Sequence, residues 1–459
     1  MNILTVGAGF VGATHSAVLA SNGHNVVAYD LDDKKLADLT SREAARIDSR
    51  IYEPGLAKLI QQNETNLAFT SYLHGINPSS IDIVFLCLPT PAEELERQLE
   101  KRCLYVAAKQ VAEHFATRNE GRQEKHLLFV NKSTVPIGTA ATLSDKLSEW
   151  GLKNYGVGSN PEFLVEGKAV EGSQKPDRVV IGTTTEQDDK LLSKLYGNID
   201  SNRIKHCSPS DAEAIKLLSN FELFSRIVLN TYHVIGRLCE SRPDLDIARI
   251  VEGITADSRL PKWGHFDSLY AGGSCFDKDA RNLLKTLLSC ESSSYAVSFV
   301  NDVIQGNDAQ LAHFYSRAQK QARFNFEGKT VAILGTAFKQ DTNDVRMSPA
   351  IPITKWMIRD GVQTIRTYDP QASENYAKTF NDKRIIVCKD EAQALEGTQA
   401  AIIATDWPRF KSLSPLIEAQ QRPYLLMDGR RMLAPNYQDL VSKGIGIIAV
   451  GSVPMFPER

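Results

Sequence analysis

One stretch of the chain, Gly272-Gly273-Ser274-Cys275-Phe276-Asp277-Lys278-Asp279, sets a thiol beside a lysine and a carboxylate just after two glycines. A thiol is a nucleophile as thiolate, a form that a cation such as Lys278 favours, and Asp279 is placed to handle a proton or a water. Such a cysteine can trap an aldehyde. The alternative is a small packed residue at a Gly-rich turn, the commoner fate of an intracellular cysteine. A second pair, Lys216 and Asn220, stands four apart in a helical pattern, so both side chains share a face and can point at one oxygen atom. Taken alone, they also read as a solvated lysine and an incidental asparagine. Lys339, Arg346 and Arg430 are cations able to clamp the phosphates of a nucleotide, against the ordinary reading of surface charge.

These groups need elements to position them. Residues 2–7 form a short apolar strand running into Gly7-Ala8-Gly9-Phe10-Val11-Gly12, and the segment after it reads as a helix closed by Gly23. In that context the first glycine makes the tight turn, the second admits a pyrophosphate and the third packs helix on strand, with the phosphates on backbone N–H groups at the helix N-terminus. A second strand ends in Asp30, 18 residues after Gly12. An acid at that offset binds the ribose 2′-hydroxyl and repels a 2′-phosphate, so NAD is expected over NADP. Strands at 81–89, 126–134 and 155–162, with a helical pattern over 93–116, predict a doubly wound parallel sheet. Thr90, Thr134 and Glu162 then lie at strand carboxyl ends, where ligands bind. Cys87, inside an apolar strand, reads as core.

Ser210-x-x-Glu213 reads as a capping box that opens one helix over 208–240, about 30 residues and roughly 45 Å long. A helix of that length commonly bridges domains or pairs subunits. More helical sequence follows over 240–320, and the polar stretch 319–329 marks a linker. A second alternating unit has strands at 329–335, 364–369, 384–388, 400–406, 423–429 and 446–450. Its first turn, Gly335-Thr336-Ala337-Phe338-Lys339, lacks the second and third glycines, so a full dinucleotide is not expected there. The fold class expected is α/β, with two Rossmann-like doubly wound domains joined by a long central helix and a helical middle domain. The expected boundaries are 1–205, 206–320 and 321–459.

Composition agrees. The 459 residues suit roughly three domains, and 42% hydrophobic with 24% charged residues is usual for a soluble globular protein. A net charge of -2 gives no electrostatic reason to expect nucleic acid or an anionic membrane surface. Seven cysteines, at 87, 103, 207, 239, 275, 290 and 388, show no CxxC pair and no metal-type spacing, which fits a reduced cytoplasm and no metal. Met1-Asn2-Ile3 runs straight into a strand pattern, and no apolar run nears the ~18 residues of a membrane span, so neither export nor insertion is expected.

The ordered set of motifs resembles the UDP-glucose/GDP-mannose dehydrogenase family over essentially the whole chain. Its blocks here are GAGFVG (7–12), IYEPGL (51–56), PTP (89–91), NKSTVPIGT (131–139), SNPEFLVEG (159–167), KLLSN (216–220), GGSCFDKD (272–279), FKQDTNDVRMSP (338–349), YDP (368–370) and DGRR (428–431). The resemblance implies an NAD domain, a dimer-forming central helix and a nucleotide-sugar domain. It implies two oxidations of the C6 alcohol of a UDP-sugar, UDP-glucose to UDP-glucuronate foremost, with two NADH formed and one water consumed. Cys275 carries the thiohemiacetal and then the thioester. Lys216 and Asn220 stabilise oxygen charge at C6, and Thr134, Glu162 and Asp279 hold water or move protons. The implied cofactor set is Gly7, Gly9, Phe10, Val11, Gly12, Asp30, Lys35, Thr90, Thr134, Glu166 and Lys278. The implied substrate set is Phe163, Leu164, Glu166, Lys216, Asn220, Arg259, Gly272, Phe338, Lys339, Arg346 and Arg430.

The chain departs from the family pattern at residues 37–50, at Arg259-Leu260-Pro261, at Tyr270-Ala271 and at Met347, where the usual acid would partner Lys339 and Arg346. Competing readings are the same chemistry on GDP-mannose or a UDP-N-acetylhexosamine, a two-electron hydroxy-acid dehydrogenase, and a silent NAD-binding scaffold. A homodimer or higher homo-oligomer built around residues 210–240 is expected.

Overall fold

The computed structural model describes all residues except 42, 90–93, 118–124, 229–233, 261, 264–268, 274, 291 and 459, and only the backbone of 94–102. Two compact units result, Met1–Ser219 and Asn220–Arg459.

The first unit holds an eight-stranded sheet: β1 (Asn2–Val6), β2 (Asn25–Tyr29), β3 (Leu67–Thr70), β4 (Ile83–Leu86), β5 (Leu127–Asn131), β6 (Tyr155–Ser159), β7 (Val179–Gly182) and β8 (Ile204–Cys207). Their order is β3-β2-β1-β4-β5-β6-β7-β8. All neighbours are parallel except β6 and β7, which meet antiparallel at Ser159 and Gly182. Both faces are covered, which is why these strands read as unbroken apolar runs. Along β4, Ile83 and Phe85 enter one core with Ile3 and Val26, while Val84 and Leu86 enter the other with Leu4 and Val6. The chain turns from β1 outward to β2 and β3 on one side and to β4 on the other, leaving a crevice at their carboxyl ends. Strands β3, β7 and β8 were not foreseen. Each has four residues, two of them (LAFT and IKHC) with mixed polarity, so only pairing with a neighbour defines them.

In the second unit, β9 (Thr330–Leu334), β10 (Thr364–Tyr368), β11 (Ile385–Val387), β12 (Ala400–Ile403), β13 (Tyr424–Asp428) and β14 (Ile445–Ala449) form a parallel sheet in the order β11-β10-β9-β12-β13-β14. Val331 and Ile333 face one core, Ala332 and Leu334 the other.

Five helices matter for the site: α1 (Phe10–Ser21), α2 (Thr139–Glu149), α3 (Pro209–Arg226), α4 (Phe276–Ser289) and α5 (Ser294–Lys320). Phe224 and Val228 pack with Ala280, Leu283, Val300 and Ile304 in a helical core of the second unit. Within the helix expected over 208–240 the helical geometry changes, with residues 229–233 outside the described ones. Regular α geometry covers the 18 residues of α3, π-type turns take Ile227–Val228 and 234–235, and α geometry returns over Gly236–Ser241.

The capping expectation also needs correction. Ser208, not Ser210, opens α3: its Oγ accepts from Asp211 N at 3.1 Å and its hydroxyl donates to Asp211 at 2.7 Å. Pro209 has no N–H and a helical φ, so it takes the first helical position and the cap falls before it. Glu213 instead accepts from Gly138 N and Ala140 N at 2.7 and 2.8 Å, closing the start of α2. Among the described residues no helix is long and apolar enough to cross a membrane.

Candidate functional site

At the end of β1, Gly7 has φ +97°, and a Cβ there would lie 2.4 Å from Cys87 O. A Cβ on Gly12 would lie 1.8 Å from Gly7 O, so neither position admits a side chain. Gly9 differs: nothing lies within 4 Å of where its Cβ would be. It caps α1 without a side-chain partner, and the first turn, Phe10-Val11-Gly12, carries no acid. Open space beside uncapped N–H groups is the cradle a pyrophosphate needs, so these residues fit NAD. Cys87 is core as read, its thiol pushed up to about 12 by burial.

Asp30 accepts from Ala8 N and Lys35 Nζ, both at 2.8 Å, and from Asp32 N at 3.0 Å. Burial would raise its pKa, but the bonds from Lys35, Asp32 and Ala8 outweigh burial and keep it ionised. Oδ1, with one bond among these, keeps acceptor capacity for a ribose hydroxyl. Lys35 thus joins the cofactor set through Asp30. Thr90 lies outside the described residues. Thr134 is buried just beyond β5, and Glu166 is partly exposed.

After β6 the chain runs Asn160-Pro161-Glu162-Phe163-Leu164. Glu162 Oε2 accepts from Leu164 N at 2.6 Å, and Oε1 lies 3.0 Å from Lys216 Nζ, the two side chains only 11% and 5% exposed. Burial pushes the Glu162 carboxyl up, while the Lys216 charge and the Leu164 N–H pull it below the usual range. The Phe163 ring meets the Arg178 guanidinium at 3.8 Å and Lys216 Nζ at 5.3 Å. Two residues here had no role in the sequence reading. Glu53, in the IYEPGL block, is buried and accepts from Gly167 N and Val170 N at 2.9 and 3.2 Å, pinning the segment that follows Glu162. Lys132, in the NKSTVPIGT block, is buried against Asn160. A buried glutamate or lysine carries no local sequence signal; only its position inside a motif hinted at either.

In the second unit Cys275 is exposed and caps α4. A helix N-terminus favours a thiolate by its N–H groups and dipole. Lys278, the cation expected to do this, has its Nζ 3.1 Å from Asp279 Oδ1. Asp279, fully buried, accepts from Asn220 Nδ2 at 2.5 Å, and its own N–H donates to Cys275 O at 2.9 Å. The loop before the thiol is held from two sides. Asn307 accepts from Ala271 N at 2.8 Å and donates to Ala271 O at 3.0 Å. A Cβ on Gly272 would lie 2.6 Å from Met347 O, and one on Gly273 2.9 Å from the Phe338 ring. Lys216 and Asn220, one turn apart on α3, therefore each hold a carboxylate, Glu162 and Asp279.

The remaining cations are paired. Arg430 lies 2.6 Å from Asp406, and Arg346 2.6 Å from Asp344. Arg346 thus finds an acid two residues before it, Asp344, in place of the family's usual acid, which Met347 replaces. Lys339 Nζ stands 5.7 Å from the Phe338 ring centroid. Arg259 is 86% exposed, paired with Asp257 at 2.6 Å, and is not drawn to the other site residues. At the second Gly turn, Asp369 follows β10 as Asp30 follows β2. It accepts from Thr336 N (2.7 Å), Ala337 N (2.9 Å), Gln371 N (2.9 Å), Ala372 N (2.8 Å) and Trp407 Nε1 (3.0 Å). Five donors saturate the carboxylate, so a ribose has no acceptor there and the turn does not repeat the NAD site.

Three models of the UDP-glucose/GDP-mannose dehydrogenase family match the chain: the NAD binding domain over residues 1–200, the central domain over 210–309 and the UDP binding domain over 332–435. UDP-glucose 6-dehydrogenase TuaD of Bacillus subtilis is 31% identical over 443 residues, covering 94% of this chain and 89% of that protein. UDP-glucose 6-dehydrogenase AglM of Haloferax volcanii is 30% identical over 455 residues, 96% of this chain and 100% of that protein. A solved UDP-glucose dehydrogenase from Pyrobaculum islandicum superposes with a TM-score of 0.82 at 28% identity, covering 94% of both chains. A UDP-D-ManNAc dehydrogenase from Pyrococcus horikoshii shares the fold at a TM-score of 0.78 and 24% identity, covering 94% of this chain and 96% of that one. With its Gly-rich turn fitted to NAD and all three domain models in order, the chain belongs to the UDP-glucose/GDP-mannose dehydrogenase family, NAD-dependent dehydrogenases of nucleotide sugars.

Proposed function

We propose that this chain oxidises the C6 alcohol of UDP-glucose twice, giving UDP-glucuronate, with the intermediate held on Cys275. The observation that carries the reading is the 2.5 Å bond from Asn220 to Asp279, a buried carboxylate one helical turn from an exposed thiol. A thioester needs a base beside it to be hydrolysed, whereas a single alcohol oxidation needs neither thiol nor base at that place. NAD, when bound at the α1 turn, takes up one hydride in each oxidation. Lys216 and Asn220 hold the negative charge that develops on the C6 oxygen. Cys275 Sγ adds to the aldehyde carbon, forming a thiohemiacetal whose hydroxyl proton leaves as the second hydride departs, which gives the thioester. Asp279 takes a proton from water as it attacks that carbon, and the thiolate leaves. Glu162 and Thr134 order water and relay protons. One water is consumed, and the product is a carboxylate.

UDP-glucose is preferred as substrate because the relatives at 30–31% identity act on it by name. The nucleotide half falls to Lys339, Arg346 and Arg430, and the domain boundaries 1–205, 206–320 and 321–459 belong to the same reading. A panel of sugar nucleotides with NAD, followed by NADH absorbance, tests it. Two NADH per UDP-glucose with no free aldehyde is the expected result. One NADH per substrate would place the chain among two-electron dehydrogenases. Preferred turnover of GDP-mannose or a UDP-N-acetylhexosamine would move the substrate and leave the chemistry.

A further inference from the structure

Lys132 follows β5 and is only 7% exposed. A buried ammonium is costly unless its donors are met, and here neutral oxygens meet them. Nζ donates to Asn160 Oδ1 at 2.8 Å and to Tyr196 Oη at 3.4 Å. It makes no direct ion pair among the described residues. Asn160 is itself fully engaged: its N–H bonds Asn131 O at 2.9 Å, Nδ2 donates to Val180 O at 2.7 Å, and Oδ1 also accepts from Tyr196. Two residues on comes Glu162, the carboxylate that holds Lys216. Lys132, Asn160 and Glu162 line one cavity of about 300 Å³.

We infer that Lys132 is a positioning residue for Glu162. Through Asn160 it fixes the turn on which Glu162, Phe163 and Leu164 ride, and as a second cation it adds to the Lys216 field in which Glu162 stands. The inference rests on the roles proposed above for Glu162 and Lys216, and it supplies the catalytic pair with a proton-dependent support. Burial, with Lys216's charge, brings the Lys132 pKa down to about 8, against the pull of Cys87 and Glu162. The groups facing it are His15 from α1, Cys87 after β4, Asn160 and Glu162 after β6, Tyr196 before β8, and Lys216 on α3. Burial and then the Lys132 charge keep His15 neutral, burial keeps Cys87 protonated, and Glu162 is held ionised. Lys132 thus carries a proton that exchanges near pH 8 beside the Glu162–Lys216 pair.

The test compares kcat and KM of the full chain with its Lys132→Met and Lys132→Arg forms across about pH 6.5–9.5, the range that brackets this titration. The unmodified enzyme is expected to lose kcat through a limb near pH 8. Lys132→Met should drop kcat by about 10–100-fold with KM for NAD unchanged, as for lost electrostatic support. Lys132→Arg keeps the charge and does not titrate there, so it should recover most of the lost kcat and remove the limb. If Lys132→Met does not fold, the limb in Lys132→Arg decides alone: its loss supports the inference and its persistence overturns it. Turnover by the unmodified enzyme with an unchanged limb in Lys132→Arg overturns this inference only. Absence of turnover with every nucleotide sugar overturns the proposed function first, and this inference with it.

Discussion

Replacing Asp279 by Asn isolates one step of the proposed reaction. The carboxylate accepts from Asn220 Nδ2 at 2.5 Å, and its other oxygen makes an ion pair with Lys278 Nζ at 3.1 Å. An amide keeps one acceptor oxygen, so it can serve one of these and must turn its own N–H₂ toward the other. Losing a buried charge-assisted bond costs about 1–3 kcal/mol, which a chain of this size tolerates. The chemical cost is larger. Removing a general base slows its step by ~10²–10⁴, about 3–5 kcal/mol of barrier. In the proposed scheme both hydrides have left before water attacks, so the slowed step comes after cofactor reduction is complete. Stopped-flow mixing of Asp279→Asn with UDP-glucose and NAD should then show a rapid burst of about two NADH per active site followed by slow turnover. Intact mass spectrometry should find a nucleotide-sugar adduct on Cys275, absent in Cys275→Ala. Should the burst vanish along with the adduct, Asp279 would be acting earlier, in orienting Asn220, and its assignment as base would be wrong.

The Lys132 ammonium makes a prediction for stability as well. Its pKa is about 8 when folded against an ordinary 10.5, so between those values the unfolded chain binds more protons and stability rises with pH. The cost of burying the charge, present in full below about pH 8, is relieved by about 3 kcal/mol toward the upper value. Urea unfolding of the native chain and Lys132→Met at a series of pH values should show their difference shifting toward the native chain as pH rises; parallel curves would refute it. Turnover with NADP should be far below that with NAD, because a 2′-phosphate would face the ionised Asp30, and equal rates would contradict that placement. Val234 and Leu238 are 63% and 50% exposed beyond α3, apolar surface that the expected partner copy would cover. Light scattering at micromolar concentration should give at least a dimer, and Leu238→Glu should weaken it; a monomeric native mass counts against the interface.

Much of the architecture was legible in the chain because its signals are local. Apolar runs such as IVFL and TVAIL fit strands buried on both faces, and the Gly7-x-Gly9-x-x-Gly12 turn with Asp30 announced a dinucleotide cradle from side-chain size and charge alone. The π-type turns inside the 208–240 helix were not legible, since apolar spacing does not tell them from α turns. Ser208 was overlooked as the cap for a similar reason: Glu213 three residues after Ser210 matched a pattern, while its carboxylate was committed to α2, some 70 residues earlier in the chain.

By itself, then, the sequence determined the parallel core strands of the two sheets, the NAD turn and which residue types were available for the chemistry, because periodicity, turn geometry and motif order lie within a few residues of one another. Only the tertiary structure decided which charges meet. Glu162 reaches Lys216, Asn220 reaches Asp279, Glu53 pins the loop after Glu162, and Asp369 is saturated where Asp30 is not. An ion pair or a buried ammonium takes its strength from desolvation and from neighbours tens to hundreds of residues away, and neither exists until the chain has folded.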